Sequence, residues 1–427
     1  MKVGQQMKKF VLCKLCLVVF GVLLVAHPVD AANWNNSSSK AKDAKVDVDR
    51  NNCLDEESSG TPTLSQLKAA HIYCHQWKFS QNGRLIVEPS ESPRILKFDV
   101  KDDPYVTEQL ETTGLVSYLL FRDGEIVKDA ISPSNRLGDM IDNDTRLISR
   151  SVGKSFNSYL LGHAICRGDI PSLEHRINDW PLLKDTLYED QKLIDVVNMN
   201  VGDKNFFQSE RVQFANPLNV KGVNHQTIRY WGEALKGTNP PLFRSFNYSQ
   251  ILSGLTVNYI AFKTQNGFEG LLKEVYADKV GVASPIEIGY VDPLAKFEDG
   301  RLSEQVFATR YDFLRIGKAM LDDWRSDSCV GRYLKQLYKS RLKGLPPKTP
   351  GRHHGLFRRH SHDYPREYDY AGFFHINPSR TKDTVFVAHG FGGQVLAINF
   401  DTGTIVVAHS VFENWDSAKL IIDAVNQ

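Results

Sequence analysis

The chain has 427 residues, of which 41% are hydrophobic, 11% aromatic and 24% charged. That composition fits a globular protein with a sizeable core and excludes a mostly disordered chain, a collagen-like repeat and a polytopic membrane protein. Basic and acidic side chains number 52 and 50, and without the first 31 residues the balance is 48 against 49, so bulk electrostatics gives no reason to expect nucleic acid as a partner.

The N-terminus reads as a secretory leader over residues 1–31. Lys8 and Lys9 precede an apolar run from Leu15 to Ala26, Pro28 breaks it, and Val29 and Ala31 supply small residues for a cut after Ala31. As an uncleaved anchor the stretch is poor, because Phe10 to Ala26 contains Lys14 and a span needs roughly 20 apolar residues. The expected location is therefore exported, periplasmic or secreted, with membrane attachment only if the leader is kept. Cys53, Cys74, Cys166 and Cys329 remain beyond it. An exported chain permits disulfides among them, and Cys166, inside an apolar helical stretch, is equally a buried free thiol. They form no C-x-x-C pattern, so neither a zinc ribbon nor a thioredoxin-like site is indicated.

Residues 32–94 read as a polar tether and lead-in, rich in Asn, Ser, Asp and Lys at the start. From Leu115 two strands flank Asp123-Gly124 as a hairpin. A helix follows from Ser151 to about Cys166, stopped by Gly168 and Pro171. Further helices are expected from about Ser249 to Thr264 and from about Arg310 to Trp324. Strands return at Thr384–Ala388, Gln394–Phe400 and Thr404–His409, before a last helix from about Trp415 to Val425. Strand material at both ends and a mainly helical middle, about 165–365, predict an α+β fold. One antiparallel sheet is built from N- and C-terminal strands and flanked by helices, over a domain spanning 95–427.

Three segments could carry chemistry. Gly153-Lys154-Ser155 looks like the tail of a phosphate-binding loop, but that motif needs a glycine where Ile148 stands, so nucleotide binding is set aside. The same segment is also S-x-x-K, from Ser151 to Lys154, at a helix start, where both side chains share one face. A lysine beside a serine can activate its hydroxyl, and the N–H groups of the helix start suit a developing oxyanion. By itself the pattern is common, and an N-cap serine with a solvated lysine is the plainer reading. Tyr248, in the loop before the helix that starts near Ser249, could carry a proton; otherwise it is a half-buried tyrosine bonded to backbone. His389-Gly390-Phe391-Gly392-Gly393 lies between two strands, where the glycines allow close approach of backbone to a ligand or merely form a bulge. His353, His354, His360 and His362 could ligate a metal, but no carboxylate stands at helical spacing, and the Pro- and Arg-rich stretch reads better as an exposed basic loop. No metal and no cofactor is expected. The sequons at Asn36, Asn143 and Asn247 read as chance matches.

In this order the segments resemble the serine β-lactamase and penicillin-binding-protein superfamily, in particular its class C-like branch of DD-peptidases, esterases and nylon-oligomer-type amidohydrolases. That branch carries S-x-x-K, then Y-[SA]-N, then K-T-G or H-x-G on an edge strand. Arg122-Asp-Gly-Glu-Ile-Val, the segment from Lys192 to Gly202, Phe307-Ala-Thr-Arg-Tyr-Asp312 and the terminal hairpin are similar to the family's corresponding segments. The resemblance implies that Ser151 is the acylated nucleophile, Lys154 its hydrogen-bonded partner and Tyr248 the general base or proton shuttle. It implies an oxyanion hole from the backbone N–H groups of Ser151 and Phe391, with Gln250, His389 and Gly390 contacting substrate. Two positions depart from the pattern: Gln250 replaces the usual Asn, and Ala388 stands where the third motif has lysine. Without that cation, neutral or cationic esters and amides fit better than an anionic β-lactam. The expected partner is a small-molecule ester or amide. The alternative is a catalytically inactive module of the same fold that binds an envelope ligand.

Overall fold

The strand-forming runs at the two ends of the sequence meet in one sheet. In the computed structural model, residues 62–77, 83–203, 227–240, 243–345, 368–378 and 381–427 are described, all within the unit Val46–Gln427. A four-stranded antiparallel sheet joins β1 (Arg84–Val87), β5 (Ile286–Tyr290), β6 (Leu302–Ala308) and β4 (Leu147–Ile148) in that order. β2 (Leu115–Arg122) and β3 (Glu125–Ile131) form the hairpin about Asp123-Gly124. They belong to an eight-stranded sheet with β7 (Leu342–Leu345), β8 (Tyr368–Ala371), β9 (Phe374–Ile376), β10 (Val385–Gly390), β11 (Gln394–Asn399) and β12 (Ile405–Ser410). The order is β3-β2-β12-β11-β10-β9-β8-β7, so β12 against β2 unites the two ends of the chain.

The central strands are near-continuous apolar runs because both sheet faces are covered. Leu119, Phe121, Leu396, Ile405 and Val407 belong to the main core, with α3 (Val152–Arg167), α4 (Gln250–Thr264), α5 (Arg310–Ser326) and α6 (Cys329–Lys339). Their strand neighbours Tyr118, Leu120, Val395, Ala397 and Val406 face a second core with Val106 and Leu110 of α2 (Pro104–Thr112) and the C-terminal residues Leu420 to Val425. Helix α3 lies at the centre: every residue from Val152 to Ala164 is buried, which is why its sequence shows no polar stripe.

Several expectations are refined. The middle is not only helical, since β5 and β6 come from it and build the second sheet. β6 reads Leu-Ser-Glu-Gln-Val-Phe-Ala and is buried throughout, so a polar run hid a buried strand. The lead-in is structured where it is described: α1 (Leu64–Ala70) buries Leu67 and Ala70, and β1 pairs with β5. β10 is not an edge strand; it pairs with β9 at Phe386 and Val387, while Ala388–Gly390 pair with β11 alone. The last helical turns run Ala418–Asp423, and Trp415 precedes them, buried against the sheet. Cys166 is bridged to Cys329, tying the end of α3 to the start of α6, and Cys74 is also disulfide-bonded.

One buried carboxylate ties the segment before β5 to the start of α5. Asp312, in the first turn of α5 and fully buried, accepts from Ala283 N (2.8 Å), Ser284 N (3.2 Å), Thr309 Oγ1 (2.7 Å) and Arg315 Nη1 (2.9 Å). Asp312→Ala leaves those donors without their acceptor and should lower the unfolding free energy by ~3 kcal/mol, read from urea denaturation.

Candidate active site

The chain enters the site from β4. Ser149 extends the pairing beyond Ile148, donating its N–H to Val306 O (2.7 Å) while its Oγ accepts from Val306 N (2.9 Å). Arg150 then takes a left-handed conformation, φ 50°, which turns the chain sharply into α3 and sets Ser151 at its start. Ser151 makes no side-chain cap. Its Oγ instead accepts from Lys154 Nζ at 3.3 Å, one turn along the same face. The plainer reading of the motif, a capping serine with a solvated lysine, is excluded on both counts: Lys154 is 1% exposed.

The ammonium of Lys154 has two more neighbours. Glu304 Oε1 on β6 accepts from it at 3.3 Å, and the ring of Tyr248 lies with its centroid 5.6 Å from Nζ. Tyr248, 8% exposed, stands two residues before α4, which Ser249 caps through Ile251 N. Its ring meets that of Tyr370 edge-on at 6.4 Å. Burial, with Tyr248 and Tyr368 close by, pushes the Tyr370 hydroxyl well above the usual phenol range. Ser151 Oγ, Glu304 and the Tyr248 ring thus converge on the Lys154 side chain, although Tyr248 is 97 positions beyond Ser151.

Two glycines allow that convergence. A Cβ on Gly153 would lie 2.0 Å from Glu304 O and 2.6 Å from Ser149 Oγ, so the first turn of α3 rests directly on β6. A Cβ on Gly390 would lie 2.8 Å from Ser149 O and 3.0 Å from Ser151 N. The end of β10 therefore touches the start of α3, bringing the Ser151 N–H beside the Gly390–Phe391 peptide. Arg150 braces this junction: its guanidinium donates to Cys74 O and lies 5.6 Å from the Phe391 ring centroid. Burial lowers its pKa to about 9, opposed by the nearby Glu304 carboxylate.

The other residues singled out in the sequence lie around this junction and on the neighbouring elements. His389 lies on the strand face opposite Ala388 and Gly390, where its Nε2 meets Glu413 Oε2 at 3.2 Å. Gln250 is the first residue of α4 and half-buried. Ala388, in the lysine's position, is completely buried. Asn247 is buried and donates to Asp203 Oδ1 at 2.8 Å, a structural use of that sequon's asparagine. The histidines of residues 353–362 lie outside the described residues, and among the described ones no group of three side chains could hold a metal ion. Sequence reasoning missed Arg150, whose part comes from distant Cys74 and Phe391, and Glu304 and Glu413, which no spacing rule links to Lys154 and His389.

No protein-family model and no curated protein matches the sequence. Solved structures do. A Bacillus anthracis protein assigned as a 6-aminohexanoate-dimer hydrolase aligns with a TM-score of 0.62 and 14% identity, over 90% of this chain and 97% of its own. A β-lactamase from Sulfitobacter sp. EE-36 aligns with a TM-score of 0.51 and 16% identity, over 75% of this chain and 93% of its own. The chain has the serine β-lactamase/transpeptidase fold.

The close approach of α3 to β6 makes a direct prediction. Gly153→Ala should destabilise the protein by about 2–3 kcal/mol through overpacking against backbone. Gly270→Ala, a helical position with nothing within 4 Å of the new Cβ, should leave stability unchanged or raise it. Thermal unfolding of the two variants distinguishes them.

Proposed function

We propose that the protein is a serine hydrolase that forms an acyl-enzyme on Ser151 from an ester or amide substrate. The observation that carries this reading is the 3.3 Å contact of Lys154 Nζ with a Ser151 Oγ that caps nothing. The hydrolases among proteins of the same fold support it.

In the reaction Tyr248 takes the Ser151 proton as Oγ attacks the carbonyl carbon, and Lys154 donates to Oγ. The carbonyl electron pair moves onto oxygen, which the Ser151 and Phe391 N–H groups receive. The leaving group departs with the proton from Tyr248, and water repeats the sequence to release the acyl group. Buried Ala388 puts no cation at the third motif, which favours neutral or cationic substrates over anionic ones.

Hydrolysis of p-nitrophenyl acetate tests the assignment. Ser151→Ala should retain only background turnover, Tyr248→Phe should lower kcat ~10²–10⁴-fold, the span of a lost proton-transfer partner, and Lys154→Met, which removes the donor to Oγ, ~10²–10³-fold. A Ser151→Ala protein that keeps wild-type turnover overturns the reading.

We also infer export. The Cys166–Cys329 bridge and the bonded Cys74 suit an oxidising compartment. Intact mass of the secreted protein should show a chain beginning at Ala32, and a mass that includes residues 1–31 would contradict cleavage there.

A further inference from the structure

A buried lysine ammonium needs a compensating charge, and in this site it comes from β6. Glu304 is 7% exposed, and its Oε1 accepts from both Lys154 Nζ (3.3 Å) and Gln305 Nε2 (3.1 Å), which fixes the carboxylate's orientation. Its main chain is fixed as well, because Gly153 lets the first turn of α3 lie on Glu304 O. Glu304 thus reaches Lys154 from β6, and Arg150, whose guanidinium feels the carboxylate, stands beside the pair. Tyr248 from the loop before α4 is a further titratable group against Lys154, and β10 brings Gly390, which does not titrate, to the start of α3.

We propose that Glu304 is a positioning residue for acyl transfer: it holds Lys154 as a fixed cation donating to Ser151 Oγ and so leaves Tyr248 as the group that takes the serine proton. This rests on the hydrolase reading above. Lys154 touches the Ser151 hydroxyl and the Tyr248 ring lies against Lys154, so on the hydrolase reading either could accept the serine proton if nothing distinguished them. A carboxylate 3.3 Å from Nζ favours the proton staying on nitrogen, more strongly than it acts on the phenol beyond. In the forward step the Ser151 O–H bond breaks, the Oγ–carbon bond forms, and the proton passes to Tyr248 while the N–H of Lys154 stays intact.

The assignment has a pH signature that a merely structural role lacks. An anion beside Lys154 and Tyr248 makes proton loss from either of them harder. Removing that anion therefore moves the rising limb of reactivity to lower pH.

The test is the rate of Ser151 labelling by a fluorophosphonate as a function of pH, for the full chain and for Glu304→Gln and Glu304→Asp. In labelling, the Ser151 O–H and P–F bonds break, the O–P bond forms, and fluoride leaves. Glu304→Gln should shift the rising limb down by about 1 pH unit, the size of a close charge effect, and lower the plateau rate ~10-fold. Glu304→Asp keeps the charge but draws back by one methylene, so it should keep the wild-type limb with a reduced plateau. A Gln variant with the wild-type limb overturns the proposal. If the Gln variant does not fold, the Asp variant decides: a wild-type plateau there shows that the contact with Lys154 is not used. A wild-type chain that is not labelled at Ser151 overturns the hydrolase reading itself, whereas a labelled wild type with an unmoved limb in Glu304→Gln overturns only the role of Glu304.

Discussion

The site depends on one constraint, the burial of the Lys154 ammonium inside the central helix. An ammonium with 1% exposure cannot be left uncompensated, since breaking a buried ion pair costs about 3–5 kcal/mol. Here compensation comes from the Glu304 carboxylate, the Ser151 hydroxyl and the face of the Tyr248 ring. Each comes from a different element, so satisfying the charge also brings Ser151, Glu304 and Tyr248 around one side chain. Gly153 permits the contact with β6, and Gly390 brings the end of β10 to the same place.

Around that point the fold is arranged to resist relaxation. β4 pairs with β6 and runs straight into Arg150 and Ser151, so Ser151 is anchored on its N-terminal side by strand pairing. On the C-terminal side α3 ends at the bridge from Cys166 to Cys329. Arg150 links the junction to α1's following turn through Cys74 O and to the β10–β11 hairpin through Phe391. A group held from both ends in this way can keep the geometry that acyl transfer requires.

Much of this was legible in the sequence, for identifiable reasons. The hairpin at Asp123-Gly124, the capped starts of α4 at Ser249 and α5 at Thr309, and the apolar strands β10 to β12 carry strong local signals. S-x-x-K shows that Ser151 and Lys154 share a face because that is a one-turn relation. Glu304 was invisible because its relation to Lys154 is 150 residues long and runs through a strand whose polar sequence looks like a loop. The second sheet was missed partly through the same polar β6 and partly because β4 has two residues and β1 four, too short for alternation to show. The bridge at Cys166 needed the packing of α3 against α6, which no spacing reveals.

The central claim is that Ser151 is the atom acylated during turnover. It is tested most directly by quenching the protein in acid during p-nitrophenyl acetate hydrolysis and mapping the modified peptide by mass spectrometry. The account predicts a single acetyl group on the peptide containing Ser151, present in wild type and absent from Ser151→Ala. An acetyl group on any other residue in the wild type, with Ser151 unmodified during steady turnover, would contradict it.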